Sequence, residues 1–158
     1  MSHIHRATIH WEKPAQDFLK GQYSREHTWS FDGGAVIPAS AAPSVVPAPW
    51  SNPAVIDPEE AFVASLSSCH MLVYLYIASR QGFQVASYHD EATGVMEKNE
   101  RGAMWVSAVT LHPLVTYTGE NRPTGEQEER MHHQAHEQCF IANSVKTEVT
   151  VSHAAPVP

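Results

Sequence analysis

The chain has 158 residues, 42% of them hydrophobic and 17% charged, which are the proportions of one globular domain long enough to bury a core. Its 10 Lys and Arg against 17 Asp and Glu give a formal charge of −7, leaving no basic footprint for nucleic acid or an anionic membrane surface. The longest apolar run, Met71 to Ala78, is short of the roughly 20 residues of a membrane span, and the first six residues lack a signal peptide's apolar core.

The expected location is therefore cytoplasmic, where two cysteines are more often catalytic, redox-active or inert than a structural staple. In chain order, His3 to Trp11 and Tyr23 to Phe31 alternate polar and apolar residues, the period of half-buried strands. Asp32-Gly33-Gly34 then turns the chain into Ala35-Val36-Ile37-Pro38, and the N-terminal strands are expected within residues 1–37. Arg25 falls among Tyr23 and His27; an arginine among aromatics has a carboxylate partner about as often as it lies flat on an edge strand in solvent.

Residues 38–57 form a proline-rich loop, with prolines at 38, 43, 47, 49 and 53 and a further one at 58, unable to sustain ladder or helix hydrogen bonds. A loop this long covers a site or a partner surface, and Val45, Val46 and Trp50 supply its apolar anchors. Asp57 and Glu60 form a capping box with Pro58 at the first helical position, and Gly82 ends the helix, which predicts a helix over 58–81, about 36 Å long. It is apolar nearly all round from Met71 to Ala78, which demands burial on most sides, yet Ser67, Ser68 and His70 surround Cys69 with small polar groups.

Two further strands are expected in 85–117, Val85 to Lys98 and Met104 to Tyr117, joined by a turn at Asn99-Glu100-Arg101-Gly102. Thr124 caps a second helix over 124–139, with acidic residues in its first turn where the helix dipole favours them, and a closing strand is expected over 144–153. The order is that of a single α+β domain with helices on antiparallel sheet.

Two constellations compete for the chemistry. One is Cys69 with Cys139, with Arg25 and Glu59 as charged neighbours: a thiolate is the nucleophile, an arginine lowers its pKa, a carboxylate holds the arginine, and the second cysteine resolves the sulfenic acid to a disulfide. The other is a histidine helix, where His132 and His136 lie four apart on one face with Glu137 or Cys139 as a third ligand; its bland counterpart is a solvated polar face.

The run Asp57-Pro58-Glu59-Glu60-Ala61-Phe62-Val63-Ala64-Ser65-Leu66-Ser67-Ser68-Cys69-His70, followed by Ala135-His136-Glu137-Gln138-Cys139-Phe140-Ile141-Ala142-Asn143-Ser144, resembles the OsmC/Ohr family of thiol-dependent hydroperoxide reductases, on its OsmC-like branch. The resemblance implies an intertwined homodimer with antiparallel sheets packed on long central helices, and an oxidative-stress enzyme reducing organic hydroperoxides without metal or other cofactor. It matches Cys69 to the peroxidatic cysteine, Cys139 to the resolving cysteine, Glu59 to the acidic residue opening the helix and Arg25 to the activating arginine. After Cys139 the chain departs from the commoner pattern, with Phe140-Ile141-Ala142 in place of a Cys-Pro start. The reductant would be a dithiol, as lipoylated proteins are for the family's best-known members. The expected substrate pocket comprises Phe62, Leu66, Trp50 and Val46. The competing functions are a His/Cys metal-binding or sensing protein and a non-catalytic dimeric binding protein of the same fold.

Overall fold

In the computed structural model, residues 2–12 and 17–153 are described, and the Pro-ended tail lies outside them. The chain divides into two compact units, Met1–Ala61 and Phe62–Pro158.

The first unit is a three-stranded antiparallel sheet in the order β1 (Ala7–His10), β2 (His27–Phe31), β3 (Val36–Ala39). The second strand pairs on both sides, Ala7 opposite Phe31 and His27 opposite Ala39. Gly34, at φ 89°, makes the turn between β2 and β3 possible because only glycine adopts that conformation without strain. Pro38 belongs to β3 rather than to the loop, opposite Thr28, and is tolerated because β3 is an edge.

Both N-terminal strands are shorter than their alternation predicts. Residues 23–26 are diverted into local bonds: Glu26 N–H donates to Ser24 Oγ at 3.1 Å and Arg25 N–H donates to the Trp50 carbonyl at 3.0 Å. The proline-rich loop is closed at its ends, where Ser40 N–H donates to the Ile56 carbonyl at 3.0 Å and Asn52 N–H to Ser40 Oγ at 3.1 Å.

Helix α1 (Pro58–Arg80) opens as its sequence requires, with Glu60 N–H donating to Asp57 Oδ1 at 2.7 Å and Asp57 N–H to Glu60 Oε2 at 3.1 Å. It ends at Gly82, φ 80°, with Phe83 N–H bonded to the Ala78 carbonyl. By length and composition α1 could cross a membrane, with a mean hydropathy of 1.6 over its most apolar 18 residues. One side of it packs in the core: Tyr74, Ile77 and Ala78 pack with Phe83, Met131 and Ala135, and Leu66 with Val109 and Leu111. Its own chain covers only that side. Ala64, Ser68, Leu72 and Tyr76, spaced by four, form an exposed stripe, with Leu72 62% and Tyr76 63% accessible.

The two long strands expected in 85–117 are four. The hairpin breaks into β4 (Gln84–Asp90), β5 (Thr93–Lys98), β6 (Met104–Leu111) and β7 (Pro113–Thr118), giving a β4–β7 sheet and a sheet in which β6 lies between β5 and a last strand, Glu148–Val151. Asp90 holds the bend by accepting His112 N–H at 2.6 Å and the Ser67 hydroxyl of α1. Gly94 lets β5 approach α1, since a Cβ there would lie 2.6 Å from Val63 Cγ2. Helix α2 (Gly125–Gln138) starts on a Thr124–Gln127 capping box, and β8 (Glu148–Val151) joins β6 in parallel, not in the expected antiparallel sense.

Candidate active site

Cys69 and Cys139 come together in the second unit, both as free thiols. Cys69 lies in the middle of α1 and is half-buried; Cys139 caps the C-terminus of α2 and is 1% exposed. Burial raises the Cys139 pKa, and a hydrogen bond to Cys69 raises it further. The Ala142 N–H works in the opposite direction, donating to Cys139 Sγ at 3.4 Å.

The departure after Cys139 thus has a structural role. Phe140–Ala142 fold back beneath the sulfur, and Asn143 clamps the turn, its N–H and its Nδ2 each donating to the Cys139 carbonyl at 3.0 Å. Asn143 and Ala142 escaped the sequence reading because a lone Asn after a helix signals only a turn.

Arg25 and Glu59 fall in the first unit. The Arg25 guanidinium lies over the Tyr23 ring, 3.6 Å from its centroid, and Nη1 donates to the Gly21 carbonyl at 2.8 Å and to the Tyr23 carbonyl. Among the described residues neither Arg25 nor Glu59 makes an ion pair. Arg25 opens onto a largely apolar cavity of about 470 Å³ walled by Ile9, Trp11, Phe18, Tyr23 and His27. Of the expected pocket residues, Leu66 is 1% exposed and belongs to the core, while Phe62 lines a separate surface cavity of about 320 Å³ with Trp105 and Val145. Val46 and Trp50 are half-buried in the proline-rich loop.

The histidine helix does not present a metal-binding face. His132 turns into the core, stacked on Tyr74 at 4.2 Å between ring centroids, with its Nδ1 3.1 Å from Nε2 of His70 on α1. His133 pairs instead with Glu137 at 3.2 Å, and no three His, Cys, Asp or Glu among the described residues are arranged to hold a metal ion.

Burial, with the neighbouring histidines, pulls His70 down to about 4 and His132 down to about 3. Both are neutral in the fold and protonate first in the unfolded chain, so their stabilisation is complete above the ordinary histidine pKa of about 6.5. It is lost as pH falls from there toward about 4 for His70 and about 3 for His132, by up to about 1.4 kcal/mol per pH unit for each histidine. The midpoint of urea unfolding should fall steeply between pH 6.5 and 4 in the native protein, and the fall should flatten in His70→Gln/His132→Gln.

Comparison with known proteins agrees with this architecture. Residues 52–154 match the family model described as OsmC-like protein. An OsmC-like protein of unknown function from Vibrio cholerae is 54% identical, with 96% of this chain and 99% of that one covered at a TM-score of 0.93. Two organic hydroperoxide resistance proteins share the fold. The one from Elizabethkingia anophelis is 18% identical (98% and 99% covered, TM-score 0.70), and the one from Bacillus subtilis 17% identical (95% and 97% covered, TM-score 0.63). A search of curated proteins gives no match. A family model spanning residues 52–154, together with a relative sharing over half its residues along nearly the whole chain, places this protein in the OsmC-like family.

Proposed function

We propose that the protein is a cytoplasmic thiol peroxidase that reduces organic hydroperoxides, with Cys69 attacking the terminal peroxide oxygen and Cys139 resolving the product. The observation that carries this reading is the pair of free cysteines, one half-buried on α1 and one buried at the end of α2, set close enough for Cys69 to act on the Cys139 thiol. Attack by the Cys69 thiolate breaks the O–O bond and gives Cys69 sulfenic acid, and the alkoxide takes up a proton to leave as alcohol. Cys139 then displaces water to form the disulfide, and an external dithiol restores both thiols by exchange.

Arg25 is assigned to activating the thiolate and Glu59 to holding Arg25. Helix α1 is unbroken from Pro58 to Arg80, so Glu59 and Cys69, ten residues apart, are separated by about 15 Å along its axis and cannot share one guanidinium within a chain. We therefore assign the complete site to a homodimer in which Glu59 acts on the other subunit's thiol. The exposed stripe Ala64, Ser68, Leu72 and Tyr76 supports this, because a soluble chain seldom leaves a long helix uncovered along one side.

Steady-state kinetics with a dithiol reductant tests the activity. The apolar walls of the Arg25 cavity would bury an alkyl or aryl group and offer little to hydrogen peroxide. At about 0.8 kcal/mol per buried methylene, three or four methylenes should raise kcat/KM for cumene hydroperoxide one to two orders of magnitude above that for hydrogen peroxide. Equal values would contradict the assignment of that cavity to substrate.

A further inference from the structure

Among the described residues, His70 and His132 form a buried polar pair that the proposed chemistry leaves unused. His70 is 1% and His132 2% exposed, their rings are stacked at 5.4 Å and 8°, and His70 Nδ1 and His132 Nε2 are buried without partners. One N–H is shared at the 3.1 Å contact, so the pair bonds only while at least one ring is neutral. The groups around it are Tyr74 on α1, Tyr88 and Asp90 on β4, Glu128 and His136 on α2, and His153 beyond β8. The Asp90 carboxylate favours the charge of the pair, while His136 and His153 oppose it, and Glu126, Glu129 and Arg130 line the cavity that opens beside His132.

This contact joins the same two helices that carry the cysteines. His70 follows Cys69 on α1, and His132 lies two turns before Cys139 on α2, so whatever fixes the spacing of the helices here fixes the spacing of the sulfurs. We propose that His70 and His132 are positioning residues, a clamp that holds Cys69 beside Cys139 while at least one of the two rings is neutral and loosens when both are protonated. The proposal rests on the assignment of Cys69 and Cys139 as a redox pair. Two positive rings at this separation would repel in a buried site, and opening the helices is the cheapest relief. By linkage, a disulfide that ties α1 to α2 must in turn make the pair harder to protonate.

Diamide closes the disulfide without any peroxide, taking up the two electrons and two protons released as the S–S bond forms. At pH 7, His132→Ala should slow this closure about tenfold while leaving alkylation of Cys69 by iodoacetamide unchanged. His132→Gln, neutral and able to bond His70, should restore closure. In the native protein, NMR titration of labelled histidines should place the His70 and His132 transitions about one pH unit lower in the disulfide form than in the dithiol form. Equal closure in all three proteins, histidine titrations indifferent to the disulfide, or failure of diamide to pair the cysteines would each overturn the clamp. Should His132→Ala not fold, the titration of the native protein decides alone. Normal diamide closure in a protein that consumes no hydroperoxide would instead refute the peroxidase reading and leave the clamp standing.

Discussion

Cys69→Ser is expected to abolish hydroperoxide reduction, a loss of about 10³-fold or more, because a serine hydroxyl in place of the thiol cannot take the peroxide oxygen into a sulfenic acid. Cys139→Ser should behave differently. Cys69 remains able to attack, so one oxidation event per chain should occur and then stop, leaving Cys69 as a sulfenic or over-oxidised acid. The asymmetry follows from the environments of the two sulfurs. The buried Cys139, with its pKa raised by burial and by the nearby Cys69, is suited to hold a proton until a sulfenic acid forms beside it. Turnover undiminished in Cys69→Ser, or continuous dithiol-dependent turnover in Cys139→Ser, would remove the two-cysteine cycle.

Mixing two inactive proteins, Cys69→Ser and Glu59→Ala, should restore activity once subunits exchange. In a two-fold dimer with shared sites, each mixed dimer rebuilds one intact centre of two, so a one-to-one mixture should recover about a quarter of native activity. An antiparallel crossing that sets Glu59 level with Cys69 of the other chain falls midway between them, at residue 64. There the exposed side of α1 carries Ala64, flanked one turn away by Glu60 and Ser68, and the small residue at the crossing point lets two helices come close. Ala64→Trp should therefore yield monomer and lose activity together. A native protein that is monomeric at working concentration, or a mixture that stays inactive after verified exchange, would exclude the trans site.

Several of these features were legible in the sequence because they are local. The Asp57–Glu60 capping box, the Thr124 cap, the Gly82 stop and the turn at Asn99 each depend on side chains within a few residues, and all stand where the sequence puts them. The resemblance to OsmC-like proteins likewise placed the fold correctly. What the sequence concealed depends on distant partners. The Asp90 bend is held by Ser67 and His112, 23 and 22 residues away, and nothing around Asp90 announces it. The parallel pairing of β8 with β6 is a topological choice that alternation does not encode. Nor does spacing reveal that His132 leaves its helical neighbour His136 for His70, 62 residues away; a histidine at i and i+4 reads as a metal pair or a wet face until the core is known. The all-round apolarity of α1 demands burial on most sides, and its own chain leaves the Ala64, Ser68, Leu72 and Tyr76 side exposed.

The most direct test of the central claim is the mass of the intact protein after one equivalent of cumene hydroperoxide per chain, quenched in acid and mapped by digestion without reductant. The predicted result is a loss of two hydrogens from each chain and a single peptide pair linked through Cys69 and Cys139. Recovery of both thiols unoxidised, or oxygen added elsewhere with Cys69 intact, would contradict it.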